Sequence, residues 1–204
     1  MNRRTLIKVF LALNLARLWP HVLVMRLSPN HETIVLDTRR WAKIILNQEP
    51  GRGRDVLWTF VYLMVFYPEY RSLFYYRSGI AGKVFRFLCR PMPNLCIATP
   101  DIGPGLFIQH GFGTVISARK IGENCWINQQ VSVGYSNKTD CPTIGNNVVI
   151  NAGAKVIGDV VVGDGSKIGA NAVVVKNVPE NCTVVGVPAY IVRRNGIRTN
   201  EPLV

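Results

Sequence analysis

The chain has 204 residues, is 48% hydrophobic, and carries 24 Lys/Arg against 12 Asp/Glu, a formal net charge of +12. That length and apolar content build one domain or two small ones and exclude a disordered, low-complexity chain. Five cysteines without a CxxC pair, and only three histidines, offer no zinc spacing, so no metal is expected and the thiols read as those of a reduced, cytosolic protein.

The charge is uneven. Residues 1–90 hold 15 Lys/Arg against 5 Asp/Glu, and residues 91–204 hold 9 against 7. A basic N-terminal part calls for an anionic partner, a membrane surface or a phosphate-bearing substrate. Nucleic acid is not expected, because no binding motif accompanies the charge.

Residues 1–27 open with Asn2-Arg3-Arg4 and continue as a largely apolar stretch from Leu6 to Leu27. Lys8, Asn14, Arg17 and Pro20 interrupt it and no small-residue cleavage site follows, so it is neither a clean membrane span nor a signal peptide. An amphipathic helix broken at Pro20 is expected. Two readings stand: a helix packed in an N-terminal domain, or a membrane-surface helix with Arg3, Arg4, Lys8 and Arg17 near anionic lipid. A second helix is expected over 31–49, a loop at Pro50-Gly51-Arg52-Gly53-Arg54, a short apolar helix over 55–67, and another from Pro68 to about Phe87. Pro91-Met92-Pro93 ends this part.

Beyond it the sequence repeats. Every sixth residue from Val115 reads Val115, Ile121, Ile127, Val133, then, after an interruption, Ile144, Ile150, Val156, Val162, Ile168, Val174. Ile and Val fill 30 of the 114 positions from 91 to 204, so chance would give about three of these ten. The following position is usually Gly or Asn, and the position two before each anchor is mostly small or Val, among them Cys125, Val131, Val148, Ala154, Val160, Ser166 and Ala172. A period of six fits short strands joined by sharp corners and stacked as a parallel β-helix. The branched anchors point inward, and Gly or Asn takes the left-handed backbone at each corner. Ile108 to Val115 spans seven residues, placing an extra residue beside His110. The step from Val133 to Ile144 expels a loop, Tyr135 to Pro142. Such departures from a tight repeat usually face the ligand.

This pattern resembles the hexapeptide repeat of the left-handed β-helix acyltransferases. The stretch Ile102-Gly103-Pro104-Gly105-Leu106-Phe107-Ile108-Gln109-His110-Gly111-Phe112-Gly113 resembles the catalytic-histidine segment of serine acetyltransferases, and Gly186-Val187-Pro188-Ala189 resembles the phrase closing their repeat domain. The resemblance covers Leu95 to Arg194. It implies a mainly β protein: an N-terminal α-helical domain (1–92), a C-terminal left-handed parallel β-helix (93–192), a tail (193–204), and a homotrimer with the active site between subunits.

The resemblance also implies an acetyl-CoA-dependent O-acetyltransferase in which His110 is the general base, since imidazole titrates near neutrality. For acetyl-CoA it points to Gly134, Tyr135, Ala152, Ala170 and Lys176, with Lys176, Arg193 and Arg194 toward the phosphates. Three positions depart from the serine acetyltransferase pattern. The aspartate that orients the histidine falls on Leu95, leaving Asp101, Glu69 or a backbone carbonyl as substitutes. The acidic residue before the histidine is Gln109. The Arg-His pair that grips serine's carboxylate is Asp140-Cys141. These departures, and phrasing similar to exopolysaccharide (colanic-acid-type) O-acetyltransferases, point to a glycan or sugar hydroxyl, with serine and a non-catalytic scaffold as alternatives. The expected location is cytoplasmic, at the inner face of the membrane if the basic helix docks there.

Overall fold

The computed structural model describes residues 3–49, 51 and 53–203, and the side chains of these apart from Arg3, Arg4 and Lys8. The lipid-facing roles expected for those three, and the conformations of Pro50 and Arg52, lie outside the described residues. The chain divides into two compact units, 1–92 and 93–204.

The first unit holds α1 (Arg3–Leu27), α2 (His31–Leu46), α3 (Arg54–Phe66) and α4 (Pro68–Val84). Contrary to expectation, α1 runs through Pro20 without ending. An interior proline removes one helical hydrogen bond, and here Pro20 lies buried beside Leu18 and His21. The second helix stops at Leu46, where Asn47 takes φ 51°, the left-handed cap that asparagine tolerates. Phe60, Tyr70, Phe74 and Trp41 form an edge-to-face aromatic core, geometry that favours ring pairs beyond their buried area. Inside it Arg77 bonds Asp37 at 2.9 Å, and the Thr38 hydroxyl meets Tyr70 at 2.6 Å.

The second unit is a three-faced parallel β-helix. Face A stacks β1 (Leu95–Ile97), β3 (Thr114–Ile116), β6 (Ser132–Gly134), β9 (Lys155–Ile157) and β12 (Val173–Val174). Face B stacks β4 (Lys120–Ile121), β7 (Thr143–Ile144) and β10 (Val161–Val162). Face C stacks β2 (Phe107–Ile108), β5 (Trp126–Ile127), β8 (Val149–Ile150), β11 (Lys167–Ile168) and β13 (Cys182–Val185), then continues antiparallel into β14 (Tyr190–Arg194) and β15 (Ile197–Pro202). The stretch 193–204 is therefore not a free tail: most of it is the edge of this sheet, and the Arg194–Glu201 ion pair at 2.7 Å ties the hairpin.

Nine of the ten anchors are buried as the repeat requires. The exception is Val115, which is 43% exposed while Ile116 is fully buried. The register explains it, because Ile116, not Val115, sits opposite Val133. From Ile108 the inward position is thus eight residues on rather than seven, and the corner beside His110 holds two extra residues. The next corner, Ser117–Arg119, is one residue short, so the phase is restored at Ile121, which pairs with Ile144.

Candidate active site

His110 stands on the edge joining faces C and A, in the corner that carries the extra residues. The equivalent corner position in each coil has positive φ: Gly113 63°, Gln130 58°, Gly153 74° and Asn171 57°. His110 at 61° and Gly111 at 36° are left-handed in addition to Gly113. Positive φ is uncommon outside glycine, with His, Asn and Asp enriched. Two consecutive left-handed residues make the bulge that lifts the imidazole out of the stack, and His110 is exposed. Strain held at one position of an otherwise regular scaffold marks functional sites.

The ring's polar neighbour among the described residues is the Gln109 amide, whose Nε2 lies 3.5 Å from His110 Nε2. Asp101, considered above as its orienting group, is instead paired with Lys120 Nζ at 3.1 Å. Leu95 lies on β1 opposite Thr114, at the foot of the same corner, and brings no charge there.

Ala152 and Ala170 lie on the same edge as His110, two and three coils further along, joined through the bond from Asn171 N–H to the Ala152 carbonyl at 2.9 Å. Gly134, Tyr135 and Lys176 lie on another edge, between faces A and B. Gly158 N–H bonds the Gly134 carbonyl at 3.1 Å and carries that edge from coil to coil. One chain therefore brings the proposed residues together as two stacked sets, not one: His110 with Ala152 and Ala170, and Gly134 with Tyr135 and Lys176. Tyr135 is half exposed. Lys176 Nζ donates to the Leu203 carbonyl at 3.2 Å, and the Arg194 guanidinium is held by Glu201, which leaves Arg193 the freer of the basic side chains expected near phosphate.

In the expelled loop Asp140 is engaged by its own turn. Its carboxylate accepts from Ser136 N–H at 2.9 Å, Asn137 N–H at 2.8 Å and the Ser136 hydroxyl, and that hydroxyl, followed by the Asn137 backbone, holds its acid below the usual carboxylate range. Asn137 Oδ1 in turn accepts from Thr139 N–H and Asp140 N–H. The loop is an Asx-turn closed on itself, a device the Ser136 and Asp140 spacing hinted at but sequence reasoning missed. Cys141 is buried.

A family model described as bacterial transferase hexapeptide (six repeats) matches residues 141–176. The chain is 45% identical over 170 residues to a serine acetyltransferase of Synechococcus elongatus, covering 79% of this chain and 69% of the relative. It is 45% identical over 168 residues to a serine acetyltransferase of Staphylococcus aureus, covering 78% and 79%. The crystal structure of Neisseria gonorrhoeae serine acetyltransferase superposes with TM-score 0.60 at 28% identity, over 83% of this chain and 67% of that one. Stacked coils, repeat and relatives define a hexapeptide-repeat transferase of the left-handed β-helix class. The chain belongs to the serine acetyltransferase family, and it is an acetyl-CoA-dependent O-acetyltransferase. The narrower likeness to exopolysaccharide O-acetyltransferases finds no support in these relatives.

Proposed function

We propose that His110 is the general base of an acetyl transfer from acetyl-CoA to an acceptor hydroxyl. The imidazole takes the hydroxyl proton, the oxygen attacks the thioester carbonyl, and the tetrahedral intermediate expels the CoA thiolate, which takes the proton back from the imidazolium. The observation that carries this reading is the bulged corner, which presents one exposed imidazole at the edge of an otherwise regular stack. Because the two sets of acetyl-CoA candidates lie on different edges, a site using both needs a second copy beside the first, and the trimer implied by the resemblance supplies that arrangement.

For the acceptor, the relatives support serine, the substrate in their names. The loop favours a second reading. Where the family's carboxylate-gripping pair is expected, this chain has a buried cysteine and an aspartate spent on its own turn. The loop's cation, Lys138, offers a point charge in place of a fork of donors. A neutral polyol such as a sugar hydroxyl needs no such grip. CoA release measured with serine and with a panel of sugars separates the two. Saturation by millimolar serine establishes the first reading. Turnover with a sugar, and none with serine, establishes the second.

A further inference from the structure

The outer side of α1 is apolar and uncovered. Leu13 is 70% exposed, Trp19 60%, Leu27 74%, and Val9 and Leu23 48% each. The packed side, Leu11, Leu18 and Met25, is buried, and His21 Nε2 ties it to Tyr75 Oη at 2.8 Å. On the helical wheel Val9, Leu13, Ala16, Leu23 and Leu27 lie opposite that packed stripe, and Arg17 and Arg26 lie on the two borders of the exposed face. A helix apolar all round is normally covered all round, yet only 24% of the most apolar window of Thr5–Leu27 is buried, at a hydropathy of 1.4. The apolar surface continues into a concavity of about 660 Å³ lined by Val9, Ala12, Leu46, Trp58 and Tyr62.

Charge selects what covers it. Among the described residues of this unit Glu32, Glu49 and Asp55 are the exposed acids, against exposed Arg17, Arg26, Lys43, Arg54, Lys83, Arg86 and Arg90. Arg26, Arg39 and His31 line a second concavity of about 350 Å³. Arg39 Nε is buried there without a partner among the described residues, an arrangement that asks for an anion with acceptor oxygens. A second copy of so basic a surface would meet its own sign.

We propose that the helical unit docks on an anionic phospholipid bilayer. The outer face of α1 lies in the interface with its apolar side chains among the acyl chains, and Arg17, Arg26 and Arg39 take lipid phosphates. The helix lies on the membrane rather than crossing it, because its inner stripe is already covered by α3 and α4 and Arg17 sits at mid-length.

Flotation of the full-length protein with vesicles tests this. It should float with equal parts phosphatidylglycerol and phosphatidylcholine at low salt, and not with phosphatidylcholine alone. Replacing Arg17 and Arg26 by Gln should weaken binding roughly fivefold per arginine, about thirtyfold for the pair. Leu13→Glu with Leu23→Glu, at exposed positions, should abolish flotation while the far-UV helical signal is kept. Absence of flotation on anionic vesicles overturns the proposal, as does equal flotation on neutral ones. Concentration-dependent self-association that Leu13→Glu breaks, without vesicle binding, also overturns it and assigns the face to a second copy.

Discussion

Among the described residues, the helical unit buries His21, Asp37, Thr38, Glu69, Ser72 and Arg77, whereas the β-helix buries only the hydroxyls Thr99, Thr114 and Ser166. In the β-helix the backbone satisfies itself from coil to coil, and each hydroxyl fills a gap where the ladder bends. Thr99 Oγ1 donates to the Ile116 carbonyl at 3.2 Å and accepts from Ala118 N–H at 2.8 Å. Ser166 Oγ donates to the Pro179 carbonyl at 2.6 Å and accepts from Cys182 N–H at 3.2 Å. The helices have no such ladder between them, and ionisable side chains join them instead. A repeat can therefore carry a strained, exposed reactive group at one corner with little charge in its core, while the helical unit is the part that buries ionisable side chains.

The sharpest test of that division is at His110. His110→Asn removes the imidazole but keeps a residue that tolerates positive φ. Acetyl transfer should fall by two to four orders of magnitude with the melting temperature unchanged. His110→Ala should lose as much activity and, in addition, about 1 kcal/mol of stability, because alanine pays for the left-handed backbone. If CoA release by the Asn variant matches the wild type, His110 is not the base.

A second test asks whether stacking alone holds the β-helix. Ile116→Ala should cost about 2–5 kcal/mol, and its neighbour Val115→Ala, on the outward side, within about 0.5 kcal/mol. Thermal melts of the two variants read the difference, and equal losses would mean that the register at β3 is wrong.

That pair also shows where sequence was enough and where it was not. The period of six located nine inward anchors because every inward position carries the same physical demand. It failed at Val115 because the neighbouring Ile116 is equally branched and apolar. Two residues added before β3 and one removed after it leave the later phase intact, so the count alone cannot tell which of the two points inward. His110 was legible from its flanking glycines and the broken period. Its orienting group was not, since Asp101 is drawn off by Lys120, on the neighbouring coil and 19 positions later in the chain. In the loop, Asp140 is occupied by backbone donors three and four residues away. Pro20 predicted a helix end, yet α1 runs through it with the ring buried.

The smallest effect falls on the helical unit. Burial takes the His21 imidazole down from 6.5 to about 4; the Phe85 backbone pulls the other way, and the Arg17 charge adds to the lowering. The folded unit thus holds this ring neutral at pH values where the unfolded chain protonates it. Stability contributed by the neutral ring is complete above pH 6.5, declines as pH falls, and is gone near pH 4. Tyr75 Oη bonds the ring and donates onward to the Cys89 carbonyl at 2.5 Å, so His21→Gln keeps a hydrogen-bonding partner while removing the titration. Melting followed from pH 7 to pH 4 should show the wild-type helical transition sliding down and the Gln variant sliding less. The β-helix transition should stay in place in both. A β-helix that loses as much as the helical unit over this range would dissolve the contrast between the two.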